Sequence, residues 1–349
     1  MSSSPSSLTE ALSRLVQMED LPLELAERVF GELMDGTAGE VPTAALLTAL
    51  RMKGEAVTEI AGAARAMFAR ATRVPVQRRG LLDTCGTGGD ELQTFNISTA
   101  AAIVVAACGV PVAKHGNRSV SSRSGSADVL EQLGYPLGLS AEGAGRCIDQ
   151  VGLGFCFAPT HHAAMRHVAG VRKALRFRTI FNLLGPLTNP AGAEFQLIGA
   201  SRVETASRLA QALAELQRPH AYVVCGNNQL DEVSLWGETA AFEVEGGRVH
   251  QRIWNADLLG LPECQPAELA VDSPAASARV IEGILAGQRG PCRDIVLANV
   301  AAGLLAARAV ETLREGVERG AAAVDSGRAA SQLRALIECA TAQMPASPA

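Results

Sequence analysis

Aromatic side chains are scarce: Phe, Trp and Tyr together make up 4% of this 349-residue chain. That is too few for a protein that stacks many unpaired bases on aromatic platforms. A formal net charge of −5 also argues against a broad basic face for nucleic acid. No segment reaches about 18 uninterrupted apolar residues, so no membrane-crossing helix is expected and no membrane partner. The Ser-rich start, Met1 to Ser7, has neither the basic residues nor the apolar run of a secretory signal, which places the chain in the cytoplasm. The eight cysteines contain no C-x-x-C pair and stand at no zinc-site spacing with histidine, so they read as scattered reduced thiols. There is no repeat of fixed period.

Hydrophobic residues are 48% and charged residues 19% of the chain, a globular balance, and the length favours two packed units. From Thr9 to about Val74 apolar residues recur every three or four positions, as in Leu12, Leu15, Val16 and in Leu25, Val29, Phe30, Leu33, which predicts successive helices. The texture changes at Leu81. Short apolar runs that read as strands (80–83, 110–113, 196–199, 221–225) then alternate with helical stretches such as 98–108 and 203–216, which implies an α/β domain. Residues 163–174 and 178–184 read as helices again, and three more helices are expected over 294–307, 312–326 and 329–340. The expected division is a small helical domain, 8–75, completed by 163–190, and an α/β domain made of 80–162 and 195–345.

The chemistry concentrates in a few stretches. Gly86-Thr87-Gly88-Gly89-Asp90 puts three glycines and a hydroxyl between a strand and a helix start, where backbone N–H groups can approach an anion with no Cβ in the way. It matches neither the dinucleotide fingerprint G-x-G-x-x-G nor the Walker loop, and by itself a tight strand-to-helix turn would look the same. Asn96-Ile97-Ser98-Thr99 follows as a helix N-terminus, which favours an anion and equally suits an ordinary cap. Lys114-His115-Gly116-Asn117-Arg118-Ser119-Val120-Ser121-Ser122 comes directly after an apolar strand and supplies cations, a free backbone and hydroxyls for a phosphate shell. His115 is a candidate for the acceptor side of the reaction.

Acids are distributed unevenly. No Asp or Glu occurs between Glu91 and Asp128, or between Asp149 and Glu194, although acids outnumber bases overall. Two anionic ligands, or two ends of one site, fit these windows. The second holds Arg166, Arg172, Lys173, Arg176 and Arg178, one of which could clamp a carboxylate, with Gly185-Pro186 as a wall for a flat ring. Asp231-Glu232, beyond the strand at 221–225, could hold Mg²⁺, which prefers carboxylate oxygens plus substrate phosphates.

Taken together these stretches resemble the anthranilate phosphoribosyltransferase family. The likeness runs from 46–54 to 290–294 and includes five motifs in the family's order: 83–90, 96–99, 114–126, 178–190 and 230–232. The resemblance implies a helical domain joined to an α/β domain of the nucleoside phosphorylase type, and a homodimer associating through the helical part. It implies that Gly86, Gly89, Asp90, Thr94, Asn96, Ile97, Ser98 and Thr99 hold phosphoribosyl pyrophosphate, with the run Lys114 to Ser122 and Ser126 completing the pocket. Asn117, Gly86 and Arg172 would meet anthranilate, and Ser98, Asp231 and Glu232 would meet Mg²⁺. Catalytic candidates are His115 and Arg172, with no certain general base. The chain departs from the family pattern at Ala163, Arg176, Cys225 and Asn228-Gln229, none of them a proposed phosphate or metal ligand. The rival readings are a pyrimidine nucleoside phosphorylase on the same fold and a non-catalytic nucleic-acid-binding relative.

Overall fold

The structure is a computed structural model and describes residues 6–90, 92–118 and 125–344. Among the described residues seven strands form one sheet: β1 (Leu82–Gly86), β2 (Val112–Gly116), β3 (Leu153–Phe157), β4 (Phe195–Gly199), β5 (His220–Gly226), β6 (Thr239–Glu245) and β7 (Arg248–Trp254), in the order β3-β2-β1-β4-β5-β6-β7. The first five pair in parallel, and β6 and β7 close the edge as an antiparallel hairpin. Chain order runs outward in both directions from the β1/β4 pair, so the helices that follow these two strands leave on opposite faces. That opens a crevice at the strands' carboxyl ends, where α/β sheets bind ligands.

The expected two-part architecture, a small helical unit ahead of a larger α/β unit, is borne out. Helices Ser7–Leu15, Leu23–Met34, Glu40–Lys53 and Val57–Ala69 precede the sheet. Their apolar stripes meet in a core of Leu25, Val29, Phe30, Leu33, Leu46, Leu50 and Ile60, and the same core takes in Val168, Val171, Phe181 and Leu184 from the later segment and Ile198 and Val223 from the sheet. Gly62 is what lets two of these helices touch, since a Cβ there would lie 2.5 Å from the carbonyl of Leu23. Buried Glu59 ties the entry turns together: it accepts the N–H groups of Leu21 and Ala56 at 2.9 and 2.7 Å and pairs with Lys53.

Several element boundaries differ from expectation. The strand expected at 110–113 starts later and continues through Lys114 and His115, both buried. The side chain of Lys114 is buried and its ammonium bonds the carbonyl of Thr84 on the neighbouring strand, so a charged residue did not end the strand as a sequence pattern suggests. Cys85 and Gly86 likewise belong to β1 rather than to the loop. The stretch 163–174 is a 3₁₀ turn, Ala163–Met165, followed by a helix, Arg166–Leu175. The stretch 178–184 has only a short helix, Phe181–Leu184, running into a second 3₁₀ turn at Gly185–Leu187.

Candidate active site

A cleft of about 740 Å³ opens at the carboxyl ends of β1 and β2. It gathers Gly86, Gly89, Asp90, Thr94, Asn96, Ile97, Ser98, Lys114, His115, Gly116, Asn117, Arg118, Ser126, Arg172, Asp231 and Glu232, which are dispersed over the chain. Thr99 sits just behind, buried in the helix Ile97–Ala107. Ser119, Val120, Ser121 and Ser122 lie outside the described residues.

Each part is placed by its own local structure. Asn96 caps the helix Ile97–Ala107 by accepting the N–H of Thr99, and the adjacent backbone N–H, that of Ser98, bonds the carboxylate of Glu232, which ties the helix start to the acids. Beyond β5 the chain folds back through a bridge between Gly226 and Leu230, which delivers Asp231 against the carboxyl ends of β1 and β4. The fit depends on two glycines: a Cβ on Gly86 would lie 2.5 Å from the Asp231 carboxylate, and one on Gly199 would lie 1.6 Å from its carbonyl. Asp231 then accepts the N–H of Gly88 at 2.9 Å, so the acid and the glycine loop hold one another. Thr87 is anchored on both sides, its N–H to the carbonyl of Gly199 and its carbonyl to the guanidinium of Arg178, each at 2.9 Å.

Electrostatics divide the cleft. Asp90, Asp231 and Glu232 crowd together: burial raises all three carboxyls, and the charge of Asp231 adds to this for Asp90, which reaches about 7, and for Glu232, which stands well above its ordinary value, while Asp231 itself is partly held down by its hydrogen bonds to Gly88 and Asp90. Lys114 offsets part of this charge. Its ammonium, lowered by burial, bonds the carbonyl of Thr84 at 2.5 Å and the hydroxyl of Ser98 at 3.2 Å. Desolvated carboxylates beside a hydroxyl and a glycine loop are a hard, oxygen-only donor set, the kind that takes a small divalent cation along with a phosphate ligand.

At the other end His115 donates Nδ1–H to the carbonyl of Gly185 at 2.9 Å, and its ring lies 5.1 Å from that of His162. Burial lowers both imidazoles, to about 4 and about 3, so both are neutral. Arg172 stands 5.3 Å over the ring of Phe181, and no carboxylate among the described residues pairs with it. Burial alone perturbs it. A guanidinium without a counterion beside neutral, apolar walls is suited to a small carboxylate ligand. Arg118, by contrast, is engaged by Asp128 and Glu131 at 2.8 and 3.0 Å.

Sequence reasoning assigned no role to Gly199 or His162, and took Arg178 only as one of five basic residues of which one could clamp a carboxylate. Arg178 lay inside a recognised stretch with no residue to direct it, and Gly199 ends an apolar run, a signal for close backbone approach that went unread.

A crevice at a sheet's reversal point, with an oxygen-rich cation set at one end and an unpaired guanidinium at the other, defines an enzyme that handles an anionic donor and a small anionic acceptor. The chain's two parts match, in order, the helical bundle domain (9–71) and the α/β domain (78–330) of a glycosyl transferase family. It is 50% identical to the anthranilate phosphoribosyltransferase of Anaeromyxobacter dehalogenans over 96% of this chain and 99% of that protein. It is 47% identical to that of Desulforamulus reducens over 95% and 96%. Among solved structures, the enzyme of Thermus thermophilus superposes with a TM-score of 0.90 at 42% identity, covering 95% of this chain and 99% of that one. The Saccharomyces cerevisiae enzyme in complex with phosphoribosyl pyrophosphate and Mg gives 0.88 at 27% identity, covering 97% and 99%. The chain belongs to the anthranilate phosphoribosyltransferase family.

Proposed function

We propose that this chain transfers the phosphoribosyl group of 5-phosphoribosyl 1-pyrophosphate to the amine of anthranilate, releasing pyrophosphate, the second step of tryptophan synthesis from chorismate. The observation that carries the reading is the junction of Asp231 with the Gly86–Gly89 loop, which puts buried acids beside a phosphate cradle. The loop N–H groups and the start of the helix Ile97–Ala107 bind the phosphates, and Lys114 stands under Ser98 to balance the charge on the leaving group. Asp231 and Glu232, with Ser98, would hold Mg²⁺, which would supply positive charge to offset that of the pyrophosphate leaving group. Arg172 takes the carboxylate of anthranilate and orients the amine toward the ribose. His115, neutral with Nδ1–H committed to Gly185, offers the acceptor a lone pair rather than a charge. The amine of anthranilate is a weak nucleophile, so departure of pyrophosphate leads the reaction and leaving-group stabilisation dominates its barrier.

The domain division we adopt is 8–75 with 163–190 for the helical part, and 80–162 with 195–345 for the α/β part. We further propose a cytoplasmic homodimer formed through the helical part, whose exposed Val16, Met18, Val41 and Met52 offer apolar surface. Mixing the protein with anthranilate, phosphoribosyl pyrophosphate and Mg²⁺ should quench anthranilate fluorescence. No quenching, with phosphorolysis of uridine or thymidine instead, would make it a nucleoside phosphorylase.

A further inference from the structure

Beneath the acceptor end of the cleft lies a group of side chains that the proposed reaction does not use as a set. Asp83 and Cys85 stand two positions apart on β1 and so face the same side of the sheet. The β1/β2 register, Leu82 opposite Val112, brings His115 to that side beside Cys85. One ligand atom from each of the three lies within 4.8 Å of the other two. Two further observations point to a missing partner. The Oδ1 of Asp83 accepts the N–H of His115 at 2.9 Å, and beyond that its buried carboxylate has, among the described residues, only the amide of Asn189, shared with the carbonyl of Ala113, which leaves Oδ2 short of a full set of partners. In His115 the donation of Nδ1–H to Gly185 leaves Nε2 with a lone pair, buried and likewise without a partner. A backbone carbonyl fixing one ring nitrogen is how metal-binding histidines are commonly oriented.

We propose that Asp83, Cys85 and His115 form a second cation site, selective for zinc or a similarly thiophilic ion, whose occupation shuts the acceptor end of the cleft. The donor set of one oxygen, one sulfur and one nitrogen suits zinc and not magnesium, which takes hard oxygens. Closing the three atoms to the separations of roughly 3.5 Å that a tetrahedral zinc needs is a shift of about an ångström. Charge balances: the thiol of Cys85 gives its proton to solvent on binding, and thiolate plus carboxylate neutralise a divalent ion, which makes burial tolerable. The site is separate from the oxygen-only set at Asp231 and Glu232. It borrows His115, which lines the acceptor end, so an ion held there competes with the acceptor.

The test is titration of the reduced, metal-free full-length chain with Co²⁺ alone. One equivalent should produce the near-ultraviolet charge-transfer band of a cobalt–thiolate bond, which Zn²⁺ then abolishes. Cys85→Ser, checked for folding by its melting curve, should lose the band. Cys156→Ser, which changes the residue opposite His115 on β3, should keep it. In assays at saturating Mg²⁺, Cys85→Ser should need at least tenfold more Zn²⁺ for half inhibition. A wild-type chain without the band, a band surviving in Cys85→Ser, or equal zinc inhibition of the two proteins would overturn the proposal, the last by placing the ion on Asp231 and Glu232. The spectroscopic arm does not depend on the reaction, so its failure is distinguishable from failure of the phosphoribosyl reading.

Discussion

At the donor end of the cleft three buried acids stand with Lys114, at the acceptor end two buried histidines stand over Asp83, and burial raises the acids and lowers the histidines. Asp90, Asp231 and Glu232 are raised by desolvation, Asp90 and Glu232 also by the charge of Asp231, whereas His115 and His162 are lowered by desolvation and by neighbouring imidazole. Both ends are therefore biased toward neutral forms, with different consequences. The acids can regain charge when a divalent cation compensates them, so that end stores binding capacity for metal and pyrophosphate. The neutral histidines leave Arg172 without an ion pair among the described residues, which reserves that end for a carboxylate. The difference suggests that specificity for the donor rests on charge compensation and specificity for the acceptor on a single guanidinium in a neutral pocket.

The sharpest way to break this division is to remove the charge from the donor end. Asp231→Asn with Glu232→Gln should lower kcat/KM by about 10³, equivalent to about 4 kcal/mol of lost transition-state stabilisation, and should abolish the ordinary Mg²⁺ dependence. A variant that responds to Mg²⁺ like the wild type would place the cation elsewhere. The acceptor end should yield a smaller and different effect. Arg172→Ala should raise KM for anthranilate about 30-fold, leaving KM for phosphoribosyl pyrophosphate and the melting temperature near wild type, because the guanidinium has no ion pair to lose. Unchanged kinetics with anthranilate would refute the assignment.

How much of this was legible beforehand follows the same division. The donor end is written in contiguous stretches: a glycine loop, a helix start and an acidic pair each announce themselves, and the two acid-free windows add charge information that needs no fold. What escaped is what the fold brings from afar. Asp83 reads as an ordinary strand-end acid until the β1/β2 register sets it under His115. Gly199 reads as the end of an apolar run until the turn after β5 brings Asp231 to within 1.6 Å of where its Cβ would stand. Arg178 is one of five basic residues in its window, and only the folded chain shows it on the carbonyl of Thr87. In the fold, β3, β6 and β7 escaped as well. β7 is exposed along nearly all its length, so it lacks the apolar run that marks a buried strand, and its hairpin partner is defined by pairing rather than by composition.

The smallest effect, and the one that sets the two ends directly against each other, is the dependence of stability on pH in the absence of divalent cations. A carboxyl raised in the folded chain contributes stability that is complete below its ordinary value near 4 and is lost as pH rises through the folded value, about 7 for Asp90. A histidine lowered in the folded chain does the reverse: its contribution is complete above about 6.5 and is lost as pH falls toward the folded values, about 4 for His115 and about 3 for His162. Between about pH 4 and 6.5 the two ends offset one another, and Asp83, raised to about 6, joins the acids. Above that window the histidines have no further effect and the acids continue. The melting temperature of the metal-free chain should therefore fall by a few degrees between pH 6.5 and 8, and Mg²⁺ should restore it by compensating the ionised acids. In Asp231→Asn with Glu232→Gln the slope should flatten, because Asp90 no longer ionises beside charged neighbours. A wild-type melting temperature that rises over this window, or a double variant with the same slope, would show that the acids at the donor end carry charge without penalty and that the contrast between the two ends does not govern the cleft.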